Sequence, residues 1–270
     1  MKKWKATWMV LCLVFVLALG VSAVQARTLD DVIKAGVIRV GINPTLPPIG
    51  IYNDKNEVDG FDKEFAEEVA KKLGVKLEIV KVGSPDRIPF VAADKIDFVM
   101  GAMTRTADRA KIIDFTLPVH TEVLGVLTTD KTTYKDYKEF NRKDITLVQV
   151  RGTTAVPFIE KNMPEAKLIL LDNYPDAIRA IAQGRGHAMV EVIEFMYKHT
   201  KAHKNVNWRV VETPVSVYFC CLGIGKGNTT LRDWLNVAIF DLHRDGTIDK
   251  LWEKWFEGPM VYKIRATEWF

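Results

Sequence analysis

The chain has 270 residues, a length that admits one large or two modest domains, because single cores stop growing at about 250–300 residues. Its composition, 48% hydrophobic, 27% charged and 10% aromatic, is ordinary for a globular protein and excludes a disordered, collagenous or disulfide-framework chain. The 38 Lys and Arg, less Lys2, Lys3 and Lys5 of an acid-free leader, leave 35 against 34 acids, a balance of +1 that offers no electrostatic footprint for nucleic acid.

Residues 1–26 carry those lysines, then an apolar stretch from Trp8 to Val21, then small residues ending Val24-Gln25-Ala26. This order is that of a secretory signal cut after Ala26, and it predicts export to the bacterial periplasm. An uncleaved anchor is the competing reading, since about 20 apolar residues can span a bilayer. Cys12 follows Leu11, which is too bulky for the residue before a lipoprotein cysteine. The mature chain then keeps only Cys220-Cys221. In an extended segment their side chains point to opposite faces, so two reduced, buried thiols are expected, with a strained vicinal disulfide as the alternative.

Thr28 caps a predicted short helix through Lys34, stopped by Gly36, and a strand follows from Val37 to Ile42. Phe61, Phe65, Val69 and Leu73 recur every four residues between Gly60 and Gly74, an amphipathic helix with a glycine stop. A strand over Lys76–Val82, a helix near Ile88–Ala93 and an apolar strand over Ile96–Met100 come next. The same grammar returns with strand Ile145–Val150, helix Thr154–Asn162, strand Lys167–Leu171, helix Pro175–Gln183 and strand Ala188–Val192. Strands alternating with helices imply parallel sheets, and the plan is stated twice. The β-rich stretches Pro118–Thr129 and Val215–Ile224 would cross between the two units as a double-stranded hinge. Leu231–Phe256 supplies two closing helices broken at Asp245-Gly246.

Other motifs carry little chemistry. His199 and His203 stand at i, i+4, but no Glu follows His199 and no third ligand is evident, so both are expected on the surface in a lysine-rich stretch. Gly223-Ile224-Gly225-Lys226-Gly227 lacks the ending of a phosphate loop and reads as a turn before a helix. No metal or cofactor is implied.

Pro47-Pro48, Gly60-Phe61-Asp62, Arg87-Ile88-Pro89, Lys95-Ile96-Asp97, Met103-Thr104-Arg105-Thr106-Ala107-Asp108-Arg109, Asp114-Phe115-Thr116 and Gly152-Thr153-Thr154 stand in a familiar order. With Arg244-Asp245-Gly246-Thr247, Trp252 and Trp255, they make the chain resemble the family 3 solute-binding proteins, polar amino-acid receptors of bacterial ABC importers, over essentially all of residues 28–257. The resemblance implies an α/β fold of two lobes, the type II periplasmic binding arrangement, each lobe a mostly parallel sheet flanked by helices and joined by a two-stranded hinge. The expected division is 27–122 for the first part of lobe 1, 123–217 for lobe 2, and 218–270 for the rest of lobe 1 with the C-terminal helices.

Ligands of parallel α/β lobes sit beyond the carboxyl ends of the strands. The turns after Met100 and Val150 therefore face the cleft, with Ala102 and Thr104 on one side and Thr153 and Thr154 on the other. The resemblance assigns a ligand carboxylate to Arg109, the arginine of the Met-Thr-x-Thr-x-x-Arg pattern. Family members usually place an aspartate for the ammonium where Val192 stands; Glu191, one residue earlier, is the candidate here, and Glu194 the reserve. Ile49 and Ser84 replace two aromatic walls, for which Tyr52 is a partial substitute. Arg151 is a candidate partner for an acidic ligand side chain. The expected partners are an amino acid, an ABC permease and its ATPase, with the receptor a monomer and not an enzyme. Cyclohexadienyl dehydratase, of the same fold, is the enzymatic alternative, and a sensory binding module shares every residue argument.

Overall fold

Thr28 starts the first helix for a reason local to four residues: its hydroxyl accepts from the Asp31 N–H at 3.3 Å while the Asp31 carboxylate accepts from the Thr28 N–H at 2.9 Å. Such reciprocal caps stabilise a helix end by about 1 kcal/mol. In the computed structural model, which describes residues 26–201 and 203–265, the elements run in chain order from α1 (Leu29–Ala35) and β1 (Val37–Ile42) to a small hairpin of β2 (Ile51–Tyr52) and β3 (Val58–Asp59). Then come α2 (Phe61–Leu73), β4 (Lys76–Lys81), α3 (Arg87–Ala92), β5 (Phe98–Val99) and the long strand β6 (Asp114–Thr129). The second half holds β7 (Thr146–Val150), α4 (Ala155–Asn162), β8 (Lys167–Leu171), α5 (Tyr174–Ala182), β9 (Ala188–Val192) and α6 (Ile193–Thr200). A second long strand, β10 (Trp208–Ile224), leads to α7 (Thr229–Arg244) and α8 (Thr247–Phe256). The expected leader, residues 1–26, lies outside the described residues except for Ala26.

One eight-stranded sheet, in the order β4-β1-β5-β10-β6-β9-β7-β8, threads both halves. The outer trios are parallel within themselves, whereas β10 and β6 pair antiparallel with each other and with their neighbours β5 and β9. The fold is the expected two-lobe α/β arrangement, with β6 and β10 as the paired crossings. Both crossings extend beyond the predicted stretches, because the antiparallel ladder continues past the apolar residues, to Trp208 opposite Thr129 at one end and Ile224 opposite Asp114 at the other. Strand β5 is shorter than predicted. Asp97 leaves the strand to take the Arg39 N–H at 2.7 Å and the Arg39 guanidinium at 2.7 Å.

The apolar face of α2, carrying Phe61, Phe65, Ala66, Val69 and Ala70, is buried against the sheet. Trp252 of α8 is fully buried, its ring 5.7 Å from Phe61 and stacked 3.7 Å from Phe256. Burying side chains of this size stabilises by roughly 1.5–3 kcal/mol each. The end of α8 also reaches the second half: Phe256 lies 5.6 Å from Phe195 of α6, and Glu257 is ion-paired with Lys198. Two expectations concerning side chains are resolved here. His199, expected on the surface, is buried and stacks on Tyr174 at 5.2 Å, because it shares a helix face with Phe195 and Met196. Cys220 and Cys221 are both free and buried. Among the described residues, no helix is long and apolar enough to cross a membrane.

Candidate binding cleft

The carboxyl ends of β5, β7 and β9 meet at a cleft lined by Arg87, Ala102, Thr104, Arg109, Glu122, Thr153, Thr154, Tyr174 and Glu191, together with apolar residues. Its walls close on a cavity of about 20 Å³. The turn after β5 is built by Asp62, whose Oδ2 accepts the Gly101 N–H at 2.6 Å. Gly101 and Ala102 follow one another with positive φ, 77° and 54°. The second is costly for a residue with a Cβ and turns the chain sharply into the cleft wall. Burial raises the Asp62 carboxyl to about 8, against the opposing pull of the Gly101 N–H and Arg87.

Two guanidiniums dominate one wall. Arg109 donates from Nη1 to the Thr104 carbonyl at 2.7 Å and from Nη2 to the Gly152 carbonyl at 2.7 Å. Arg87, which is buried, donates from Nε to Ser84 O at 3.1 Å, from Nη1 to Gly101 O, and from Nη2 to the same Gly152 carbonyl at 3.1 Å. Gly152 thus joins the two halves of the sheet through one oxygen. Its φ of +75° suits glycine, and a Cβ there would stand 2.8 Å from Ser84 O and 2.9 Å from Pro85 Cα. Burial and the neighbouring Arg87 charge lower Arg109 to about 10, still cationic at neutral pH.

Carboxylates face this cationic wall. Glu191, on β9, accepts the Val192 N–H at 2.8 Å and is raised to about 8 by burial, with the charge of Glu122 adding to the rise. Glu122, on β6, accepts the Thr104 hydroxyl at 3.1 Å and is raised to about 7 by burial. The Tyr174 phenol is pushed well up by burial and by Glu191. Opposed buried carboxylates and guanidiniums at the ends of parallel strands can hold a small ligand that carries both signs of charge.

Of the residues predicted from sequence, Ala102, Thr104, Arg109, Thr153, Thr154 and Glu191 all line this cleft. Thr153 turns its hydroxyl to Val150 O at 2.8 Å. Tyr52 and Arg151 are not brought to the same walls. Tyr52 is exposed on the hairpin with Lys81 over its ring at 4.8 Å, and the exposed Arg151 pairs with Asp172 at 2.9 Å. Glu194 sits in the first turn of α6, outside the lining, its oxygens buried and its carboxyl raised by that burial. Three polar lining residues escaped the sequence reading as site residues. Arg87 and Glu122 each had a signal, a cation within a short apolar helix and an acid within the apolar run Val119–Leu127; Tyr174 had none beyond its place at a helix start. Among the described residues, no group of three or more His, Cys, Asp or Glu could hold a metal ion.

Comparison with known proteins agrees with this architecture. The family model for bacterial extracellular solute-binding proteins, family 3, matches residues 38–258. A glutamate/aspartate import solute-binding protein of Escherichia coli K12 is 28% identical over 272 residues, covering 92% of this chain and 89% of that protein. The crystal structure of a solute receptor for L-cysteine of Neisseria gonorrhoeae superimposes with a TM-score of 0.79 at 31% identity, over 84% of this chain and 93% of the other. An ancestral amino-acid-binding protein, described as a precursor of cyclohexadienyl dehydratase, gives a TM-score of 0.79 at 31% identity, over 84% of this chain and 99% of its own.

Proposed function

We propose that this chain, which belongs to the bacterial extracellular solute-binding proteins of family 3, is a periplasmic receptor that captures an amino acid in the cleft and delivers it to an ABC permease. The observation that carries this reading is the gathering of Arg109 and Arg87 with the buried acids Glu191 and Glu122 around one cavity, a charge pattern complementary to a zwitterion. Arg109 and Arg87 bind the carboxylate, replacing carbonyl acceptors with a charged one; hydrogen bonds between ions contribute roughly 1.5–3 kcal/mol each. Ala102, Thr104, Thr153 and Thr154 flank the ligand, and Glu191 takes its ammonium. Lobe 1 comprises 27–122 and 218–270, lobe 2 comprises 123–217, and residues 1–26 direct export. The receptor acts as a monomer that closes by bending β6 and β10. Amino-acid binding by the relatives supports this reading.

The test is calorimetry of the mature protein against the twenty L-amino acids, after partial unfolding and dialysis to strip ligand carried from the host. Binding of at least one amino acid with micromolar affinity or better is expected. No binding across the whole panel would remove the proposal.

One observation favours a second reading, the dehydration of prephenate: a pair of arginines suited to two carboxylates stands near Glu191, whose raised carboxyl could protonate a leaving hydroxyl. Incubation with prephenate is expected to give no phenylpyruvate above background; sustained conversion would establish the enzyme instead.

A further inference from the structure

Glu122 is an acid on the crossing strand β6, immediately before the apolar run Val123–Leu127. Its neighbours Val123, Leu124, Val126 and Leu127 are all buried, and Glu122 itself is only 4% exposed. A buried carboxylate is costly unless charge or hydrogen bonds compensate it. Here the compensation is partial. The Thr104 hydroxyl donates to Oε2 at 3.1 Å, and the Cys220 thiol is a second partner. Arg87 and Arg109 lie close enough to stabilise the anion, yet the guanidinium N–H groups described above go to the carbonyls of Ser84, Gly101, Thr104 and Gly152. An ionised carboxylate offers about four acceptor sites, so Glu122 retains capacity toward the cleft.

The commitment of Thr104 matters as much. Its hydroxyl proton is spent on Glu122, so what Thr104 presents to a ligand is an oxygen lone pair. This part of the cleft, between β6 and the turn after β5, is therefore an acceptor surface, in contrast to the donor surface of the two guanidiniums. Glu191 belongs to the neighbouring strand, since β9 pairs with β6 at Gly125 opposite Glu191. The charge of Glu122 adds to the cost of ionising Glu191, and both side chains line the one cavity. A cation between them would remove that repulsion, and a tetrahedral ammonium has three N–H donors to distribute.

We propose that Glu122 is a specificity-determining residue of the cleft: its carboxylate on the crossing strand holds the ligand's ammonium jointly with Glu191, so that the protein rejects the same acid lacking its amine. This rests on the amino-acid reading given above. It adds a second anionic contact, placed on the strand that must bend when the lobes move, and so joins recognition of the amine to closure. Rejection is expected to be strong, because a des-amino ligand would offer the two buried carboxyl groups no donor in place of the ammonium.

The experiment is a comparison of affinity ratios. Each L-amino acid that binds in the twenty-member panel is paired with its des-amino acid, for instance L-glutamate with glutarate and L-cysteine with 3-mercaptopropionate. The ratio of dissociation constants is then measured for the wild type, Glu122→Gln and Glu191→Gln. Glutamine keeps an acceptor for Thr104, so a purely structural role would leave the ratio unchanged. The wild type is expected to favour the amino acid by ~100-fold or more, and Glu122→Gln to reduce that ratio at least ~10-fold, chiefly by weakening the amino acid. Equal weakening of both ligands, or no change in either, would overturn the role of Glu122 while leaving the amino-acid reading intact. Absence of any bound amino acid would overturn both. Should Glu122→Gln not fold, Glu122→Asp, which keeps the charge but withdraws it by one methylene, is expected to lower the ratio at least ~3-fold, and an unchanged ratio there would be equally decisive against the proposal.

Discussion

The Gly152 carbonyl oxygen accepts from Nη2 of Arg109 at 2.7 Å, so a backbone acceptor of one half of the molecule satisfies a cation of the other, the proposed anchor. A ligand carboxylate entering the cleft competes for that guanidinium and is favoured, because a charged acceptor bonds about twice as strongly as a neutral one. Substituting Arg109→Ala is therefore expected to reduce amino-acid affinity at least ~100-fold, the loss of two charge-assisted bonds. The melting temperature should move by only a few degrees. Calorimetry and a thermal melt check the two halves of this statement; near-native affinity would remove Arg109 as the anchor.

Gly152 itself is expected to control closure. A methyl at this position meets Ser84 O at 2.8 Å and Pro85 Cα at 2.9 Å, and the backbone sits at φ +75°. Both contacts are to main-chain atoms of the facing half, which cannot swing aside. Gly152→Ala should weaken binding more than ~10-fold by holding the halves apart. Small-angle scattering should show a larger radius of gyration that ligand no longer reduces. A variant that compacts on binding like the wild type would refute this.

The pH dependence of stability has two opposing contributions. Burial lowers His120 and His199 from 6.5 to about 4. Their folded forms stay neutral while the unfolded chain takes up protons, so this contribution is lost as pH falls from 6.5 towards 4. Asp62, Glu122 and Glu191 are raised from 3.8, 4.5 and 4.5 to about 8, 7 and 8. For them the folded state keeps protons that the unfolded chain releases. Their contribution is full below the unfolded values and is lost as pH rises through 7 and 8. Above about pH 7.5 the histidines are neutral in both states, and between pH 6.5 and 8 the carboxylates give the larger contribution. Melting of the ligand-free protein should therefore decline between pH 6.5 and 8, and Glu191→Gln should flatten that decline. A rise in melting temperature over this interval would contradict the assignment.

Burial pushes the Cys221 thiol up to about 12 and holds that of Cys220 well above the ordinary thiol value. The thiolate is the reactive form. Native protein should thus react with a thiol reagent at least ~100-fold more slowly than the unfolded chain, and added reductant should not shift its melting. Rapid labelling, or melting sensitive to reductant, would instead indicate an accessible or bridged pair.

Much of this architecture could be read along the chain because it is set locally. The four-residue period of Phe61, Phe65, Val69 and Leu73 and the stop at Gly74 define α2 without reference to anything distant, and β1, β8 and β9 fall on their predicted bounds. The turn residues Ala102, Thr104, Thr153 and Thr154 were legible because strand ends in parallel sheets face one crevice. What escaped depends on through-space partners. Arg87 resembles any helix cation until its guanidinium is seen to span from Ser84 to Gly152. The burial of His199 follows from the Tyr174 ring stacked on it. Arg151 is close in sequence to a cleft turn, yet Asp172 draws it off, and the hairpin carries Tyr52 outward.

The aromatic contact of Phe256 with Phe195 and the ion pair of Glu257 with Lys198 fasten the end of α8 to α6 of the other half. Two long strands alone would let the jaws swing through a wide arc. If the halves close as proposed, a buckle of this kind shortens the stroke, the mouth gaping only as far as these side chains stretch or let go. Cutting it, by trimming the chain before Phe256, should yield a receptor that opens wider and releases its cargo sooner.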